Sequence, residues 1–214
     1  DVDCAGVCGG SAASDECGVC NGDGIADGAC DCDGNIVDAC GVCGGSDFTD
    51  SDGDGSGDLC DSSPYGEASL SFDNLTDQSV TIMYSSDVDV YGFQFNVIGA
   101  DLTDVQSDLG DVSFSSATGI VIGFSMTGAS LPAGEGVLAT LYFTPQSSTS
   151  ELSVDEVIVS GQGGGDIIES GPGVLEVPAC DDVDADGVCD DVDDCVGEFD
   201  ECGVCNGDGI ADGA

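Results

Sequence analysis

From Ala68 to Val177 apolar and polar residues alternate in short runs separated by Gly, Ser, Asp and Pro clusters. A period of two puts successive side chains on opposite faces of a strand, whereas a helix repeats its apolar positions every three or four residues. The clearest run sets Tyr91, Phe93, Phe95 and Val97 against Gly92, Gln94 and Asn96. Two more are Ile120, Ile122, Phe124, Met126 and Val137, Ala139, Leu141, Phe143, and each apolar set is expected to face a core. About nine strands are readable, with no sustained helical period. The expected fold class is all-β: a jelly-roll-like β-sandwich, long enough to close a core of its own, plus irregular disulfide-rich, calcium-binding connector repeats.

The flanks lack this alternation and are rich in Cys, Asp and Gly, with Pro64 and Pro178 at the boundaries. Three regions are expected: a connector at 1–64, the sandwich at 65–178 and a second connector at 179–214. Asp15 to Ala29 (DECGVCNGDGIADGA) recurs unchanged as Asp200 to Ala214, a period of 185 residues. That identity predicts an excerpt from a tandem array in a longer polypeptide, with 179–214 opening the next repeat. A shorter repeat of 23 residues is nested inside, carrying Cys17 and Cys20 onto Cys40 and Cys43.

All 14 Cys lie in the flanks, none between residues 61 and 179. An even count in Gly-rich segments without a core is the pattern of a disulfide framework in an oxidising compartment. The spacing of Cys17-Gly-Val-Cys20 and Cys40-Gly-Val-Cys43 also fits a four-thiolate zinc site. Cys202-Gly-Val-Cys205 and Cys4-Ala-Gly-Val-Cys8, with further Cys between, suit a serial ladder of bridges better than one tetrahedron. No βαβ pattern surrounds any Cys-x-x-Cys, which disfavours a thioredoxin-like role.

Charge sharpens the picture, because the chain has 44 Asp and Glu and no Lys, Arg or His, for a formal net charge of −44. No side-chain salt bridge can form, so cations must come from solvent. Nucleic acid and anionic membranes are unsuitable partners, and no apolar run is long enough for membrane insertion. Without His or Lys there is no Ser-His-Asp or Cys-His pair and no Schiff base, and an enzyme is not expected. Isopeptide cross-links lack their amine.

Two stretches give the acids a purpose: Asp50-x-Asp52-x-Asp54-Gly55-x-x-Asp58-x-x-Asp61 and Asp182-x-Asp184-x-Asp186-Gly187-x-x-Asp190-x-x-Asp193. Oxygen ligands at positions 1, 3 and 5, a Gly at 6 for the sharp turn, and carboxylates at 9 and 12 make a calcium loop. Ser56 and Val188 hold position 7, where such loops offer main-chain oxygen. A halophile-type acidic coat would explain the charge but not this spacing. Asn21, Asp23 and Asp27, their repeat Asn206, Asp208 and Asp212, and Asp31 with Asp33 form truncated sets that read equally as partial calcium sites or as Asx-Gly turns. Asn74-Leu75-Thr76 is a glycosylation sequon.

The stretches Val90 to Val97 (VYGFQFNV), Gly136 to Phe143 (GVLATLYF) and Gly173 to Val177 (GVLEV) resemble the cohesin-like and carbohydrate-binding-module sandwiches. That resemblance implies a nine-stranded jelly-roll that binds a dockerin-type protein or a sugar, or serves as a spacer. The chain has no Trp, and Tyr65, Tyr84, Tyr91 and Tyr142 are expected at the edge of the core rather than on a sugar platform. The flanks resemble thrombospondin type 3 repeats, which imply calcium wrapped within a disulfide-stapled wire. Asp50 to Asp61 matches their form, whereas the second copy departs from it by carrying Cys189 early. Dockerins share the loop but follow it with a helix, where this chain has Ser62-Ser63-Pro64.

The expectation is an extracellular, secreted or cell-surface segment of a tandem-repeat fibre, stiffened by calcium and disulfides and contacting itself or its tandem neighbours. The alternative is an adhesin or scaffold array whose sandwich captures a protein or glycan.

Overall fold

In a computed structural model, described here for residues 1–209, the chain forms two compact units, Asp1–Pro64 and Tyr65 onward. The first contains no regular strand and is built from turns and single β-bridges. It buries no apolar side chain, so neither a core nor a sheet holds it together.

The second unit is the all-β sandwich that the alternation predicts, with ten strands. They are β1 (Glu67–Asp73), β2 (Ser79–Ser86), β3 (Gly92–Ile98), β4 (Leu102–Gln106), β5 (Asp111–Phe114), β6 (Ile120–Phe124), β7 (Gly134–Phe143), β8 (Ser150–Ser160), β9 (Asp166–Ser170) and β10 (Val174–Val177). One sheet runs β4-β7-β2-β1 and the other β5-β6-β3-β8, all antiparallel. β9 joins them, pairing parallel with β1 and antiparallel with β8, and β10 adds to β8. Val80, Ile82, Phe95, Val121, Leu138 and Leu141 are among the side chains sealed between the sheets. Tyr84 is buried as well and donates its hydroxyl to the Pro132 carbonyl at 2.8 Å.

β3 follows the expected alternation, with Phe93, Phe95 and Val97 buried. β6 reverses it, because Val121 and Gly123 face the core while Ile120, Ile122 and Phe124 face outward at 39, 38 and 42 % exposure, and Met126 lies beyond the strand at 81 %. The reason lies across the pair: Gly123 stands opposite Phe93, and a Cβ there would come within 2.2 Å of the Phe93 ring. The aromatic ring fills the space that an inward side chain of β6 would need. In β7 a register shift opposite Ile82 and Met83 buries Leu138 and Ala139 together and turns Val137 out to 40 % exposure. A bulge re-aims every residue on one side of it, which a strict period of two cannot anticipate.

Candidate metal loops in a disulfide-stapled frame

Six disulfides are present, and they settle the choice between bridges and zinc. Cys4–Cys20, Cys17–Cys32, Cys30–Cys43 and Cys40–Cys60 overlap along the first unit, and Cys180–Cys189 and Cys195–Cys205 staple the end of the second. The two sulfurs of Cys17-Gly-Val-Cys20 therefore leave for different partners, as do those of Cys40-Gly-Val-Cys43, and no thiolate tetrad exists in the first unit. Each bridge closing 13 to 20 residues is worth about 3 kcal/mol of chain entropy, which supplies what the missing core does not.

Between bridges the chain is shaped by aspartates. Asp15 accepts the Cys17 and Val19 amides through Oδ1, at 3.0 and 2.7 Å, and the Gly24 amide through Oδ2 at 2.9 Å. Asp3, Asp38 and Asp200 repeat this arrangement on residues two, four and nine positions ahead. In all four copies the residue seven ahead is Gly (Gly10, Gly22, Gly45, Gly207), where a Cβ would fall about 2 Å from the carboxylate. The chain thus wraps each aspartate as a hairpin wraps a pin, closed by the bridges Val2–Cys8, Ser14–Cys20, Val37–Cys43 and Phe199–Cys205 in the backbone pairing. Amide donors, chiefly those of Val7, Gly24 and Val204 in turn, hold the Asp3, Asp15 and Asp200 carboxyl groups below the ordinary 3.8. Asp47, a buried carboxylate, is held low chiefly by the Leu59 amide at 2.8 Å, and it ties this frame to the first acidic loop.

The two twelve-residue loops fold alike despite different staples, Cys60 at position 11 of the first and Cys189 at position 8 of the second. The position 6 amide donates to the position 1 carboxylate at 3.1 Å in both, from Gly55 to Asp50 and from Gly187 to Asp182. Position 5 donates to position 3 at 3.2 and 3.3 Å, and position 7 to position 5 at 2.7 and 2.8 Å. Gly55 and Gly187 turn the chain at φ of 98° and 95°, a region that side-chain-bearing residues avoid. Carboxylate oxygens of Asp50, Asp52 and Asp54 lie within 4.8 Å of one another, as do those of Asp182, Asp184 and Asp186. Two oxygens sharing one calcium at about 2.4 Å lie at most about 4.8 Å apart, so each trio has a spacing the ion can bridge.

Positions 9 and 12 have other partners. Asp58 accepts the Ser51 amide at 2.8 Å and its hydroxyl at 2.8 Å, and Asp190 accepts the Val183 amide at 3.0 Å, so position 9 latches the loop's second residue. Hydrogen bonds from Ser51, side chain first, hold the Asp58 carboxyl low. At position 12, one oxygen of Asp61 accepts the Ser63 amide and one of Asp193 the Cys195 amide, at 2.9 and 2.8 Å. The other oxygens, Asp61 Oδ2 and Asp193 Oδ2, are shut from solvent with no hydrogen-bond partner, as is Asp182 Oδ1. Burial, helped by the charges of Asp54, Asp61 and Asp50, pushes the Asp52 carboxyl up. Ser56 and Val188 donate their amides to position 5. An oxygen-only donor set with orphaned acceptors at equivalent places fits a hard divalent cation.

The truncated sets do not gather in this way. Asp31 spends both oxygens on an Asx turn, accepting the Asp33 and Asn35 amides and the Asn35 side chain, and Cys30 and Cys43 beside it are bonded to each other. Asn21 takes a left-handed φ of 52°, and Asp23 and Asp27 join no cluster of three acidic ligands among the described residues. Asn206 donates to the Val196 carbonyl at 3.0 Å, while Asp212 lies outside the described residues. Asn74 is exposed on the turn from β1 to β2.

The outward face of the β5-β6-β3-β8 sheet is the other candidate surface. Gln94 pairs with both Ile122 and Ile158, so these isoleucines flank it in one row, and Ile98, Ile120 and Phe124 extend the apolar area.

No protein-family profile and no curated protein matches the chain. Among solved structures, the cohesin module of a family 33 glycoside hydrolase from Clostridium perfringens is 14 % identical, with a TM-score of 0.39, over 54 % of this chain and 96 % of that one. A type I cohesin–dockerin complex from Clostridium thermocellum gives 14 % and 0.43 over 56 % and 98 %, and a non-cellulosomal cohesin of the archaeon Archaeoglobus fulgidus 11 % and 0.40 over 53 % and 92 %. Identities and scores of this size say nothing of what this chain binds.

Proposed function

We propose that this chain is a structural segment of an extracellular tandem-repeat fibre, in which sandwiches alternate with connectors made rigid by disulfides and calcium. The observation that carries the reading is the first unit itself: a connector with no buried apolar side chain, held by four overlapping bridges and ending in an acidic loop with an orphaned oxygen. A segment so built keeps its shape through its bridges. Six bridges fit an oxidising, extracytoplasmic compartment. Asp50, Asp52, Asp54 and Asp61 would hold one ion and Asp182, Asp184, Asp186 and Asp193 the other. Calcium would supply the positive charge that a chain without Lys or Arg cannot. The likeness of the loops to thrombospondin type 3 repeats accords with this role.

Electron microscopy of the native material at fixed salt, with calcium and then with a chelator, tests the reading. Regular filaments that soften or come apart without calcium are expected. Isolated flexible strings in both conditions would overturn it.

The exposed apolar face of β6 favours a second reading, a scaffold array whose sandwich captures a protein partner. Ile122→Asp sits on that outward face, so it should leave the melting temperature alone and abolish capture; capture that survives it would exclude this face.

A further inference from the structure

The disulfides have a direction. Wherever a cysteine of a wrapped-aspartate motif is bonded, a first cysteine bonds forward along the chain and a second bonds backward. Cys4, Cys17 and Cys40 reach ahead to Cys20, Cys32 and Cys60, and Cys20, Cys43 and Cys205 reach back to Cys4, Cys30 and Cys195. Cys4 stands one position earlier in its motif than the other first cysteines and still bonds forward. Two cysteines are unbonded and exposed, Cys8 and Cys202.

Their places in the motif assign each a direction. Cys8 is a second cysteine, and the bonded second cysteines reach back 16, 13 and 10 residues, which from Cys8 falls before Asp1. Cys202 is a first cysteine, and the bonded first cysteines reach ahead 16, 15 and 20 residues, which from Cys202 falls beyond Ala214. Both sit in the frame of the bonded copies. Asp200 holds the Cys202 and Val204 amides at 2.9 Å each, as Asp15 holds those of Cys17 and Val19, and Cys8 pairs with Val2 as Cys20 pairs with Ser14. At the equivalent positions of the other copies the cysteine is half of a bridge.

We infer that Cys8 and Cys202 are the open rungs of a ladder that continues through neighbouring polypeptide, Cys8 bonding to a cysteine upstream of residue 1 and Cys202 to one downstream of residue 214. Because Asp200 to Ala214 repeats Asp15 to Ala29, the partner of Cys202 is the counterpart of Cys32. Each rung forms by exchange with a disulfide-carrying oxidoreductase or glutathione disulfide. One thiolate attacks a donor sulfur and expels the other as thiolate. The second cysteine, also as thiolate, then attacks the mixed disulfide and releases the remaining donor sulfur. The two cysteines lose two protons and two electrons in all, and the donor is reduced to two thiols. A filament and a binding array would need this continuity equally, so the inference stands apart from the proposed function.

The test compares residues 1–214 with a chain in which a copy of residues 30–64 follows Ala214. Each is folded oxidatively, alkylated without reduction, cut with a protease specific for acidic residues and mapped by mass spectrometry. Cys202 should be fully alkylated in the shorter chain, and in the longer one protected and linked to the counterpart of Cys32, with Cys8 alkylated in both. The Cys17–Cys32 and Cys195–Cys205 peptides report correct folding. Alkylation of Cys202 in the longer chain with those bridges intact would overturn the inference, and so would its bonding to Cys202 or Cys8 of a second copy. The same mapping on the polypeptide as cells export it needs no refolding: both cysteines should resist alkylation there, and reaction of either overturns its rung.

Discussion

Removing the Cys40–Cys60 rung with Cys40→Ser and Cys60→Ser should unfasten the first acidic loop and leave the sandwich intact. The rung spans 20 residues, and loop-closure entropy for that span is about 3 kcal/mol at 25 °C. No buried apolar side chain in 1–64 can offset the loss, and the neighbouring Cys30–Cys43 rung ends before the loop begins. A loss of about 3 kcal/mol raises the opened population about a hundredfold. The Asp58 and Asp61 amides, bonded to the Thr49 and Gly57 carbonyls at 3.1 and 3.0 Å, should therefore exchange with deuterated solvent about a hundredfold faster. Amides of β2 and β7, within the core of the other unit, should keep their rates at the same calcium concentration. Unchanged exchange at Asp58 and Asp61 would refute the claim that bridges substitute for a core. Equal acceleration in β2 and β7 would refute the independence of the two units.

Three acidic oxygens within 4.8 Å repel by about 0.9 kcal/mol per pair even in water, a strain on each loop that a divalent ion removes. Calorimetric titration should thus find two calcium ions per chain, with Asp52→Asn and Asp184→Asn each removing one; a chain that takes up none would defeat the calcium assignment. Acid should loosen the connectors before the sandwich, because Asp3, Asp15 and Asp200 have folded-state carboxyl values below 3.8. A depressed value contributes stability above the unfolded-state value that is lost as pH falls through the folded one, so the change belongs below about pH 3.8. Exchange at the Cys17 and Val19 amides that stays constant through that window would contradict it. Gly123→Ala should cost about 1 to 3 kcal/mol in thermal unfolding by driving a methyl into the Phe93 ring, and a neutral result would mean that the ring can move aside. Gly22→Ala, against Asp15, should raise exchange in its own turn only.

What was legible in the sequence was whatever has a fixed offset. Alternation at Phe93, Phe95 and Val97 located β3, and the Asp and Gly spacing located both acidic loops. Offset alone could not say which face of β6 turns inward, since that depends on the Phe93 ring across the sheet. Nor could it separate Asp58 from Asp54, because a latch and a prospective ligand are the same residue type at neighbouring places. Asp3, Asp15, Asp38 and Asp200 were hidden among 44 acids. The signal that marks them is an Asp followed by Val-Cys at the fourth and fifth positions and by Gly at the seventh, four times over.

The overlap of the rungs has a mechanical consequence. Under tension the load need not follow the peptide backbone. It can cross from Cys4 to Cys20, step back to Cys17, cross to Cys32, step back to Cys30, cross to Cys43, step back to Cys40 and cross to Cys60. The Cα atoms joined by these crossings are 5.4 to 5.8 Å apart. With the few residues between them fully drawn out, the pulled length from Cys4 to Cys60 cannot exceed about 50 Å, against roughly 200 Å for the same stretch reduced. The first unit is a strap of fixed reach: pulling can straighten it, and only breaking a sulfur–sulfur bond can lengthen it.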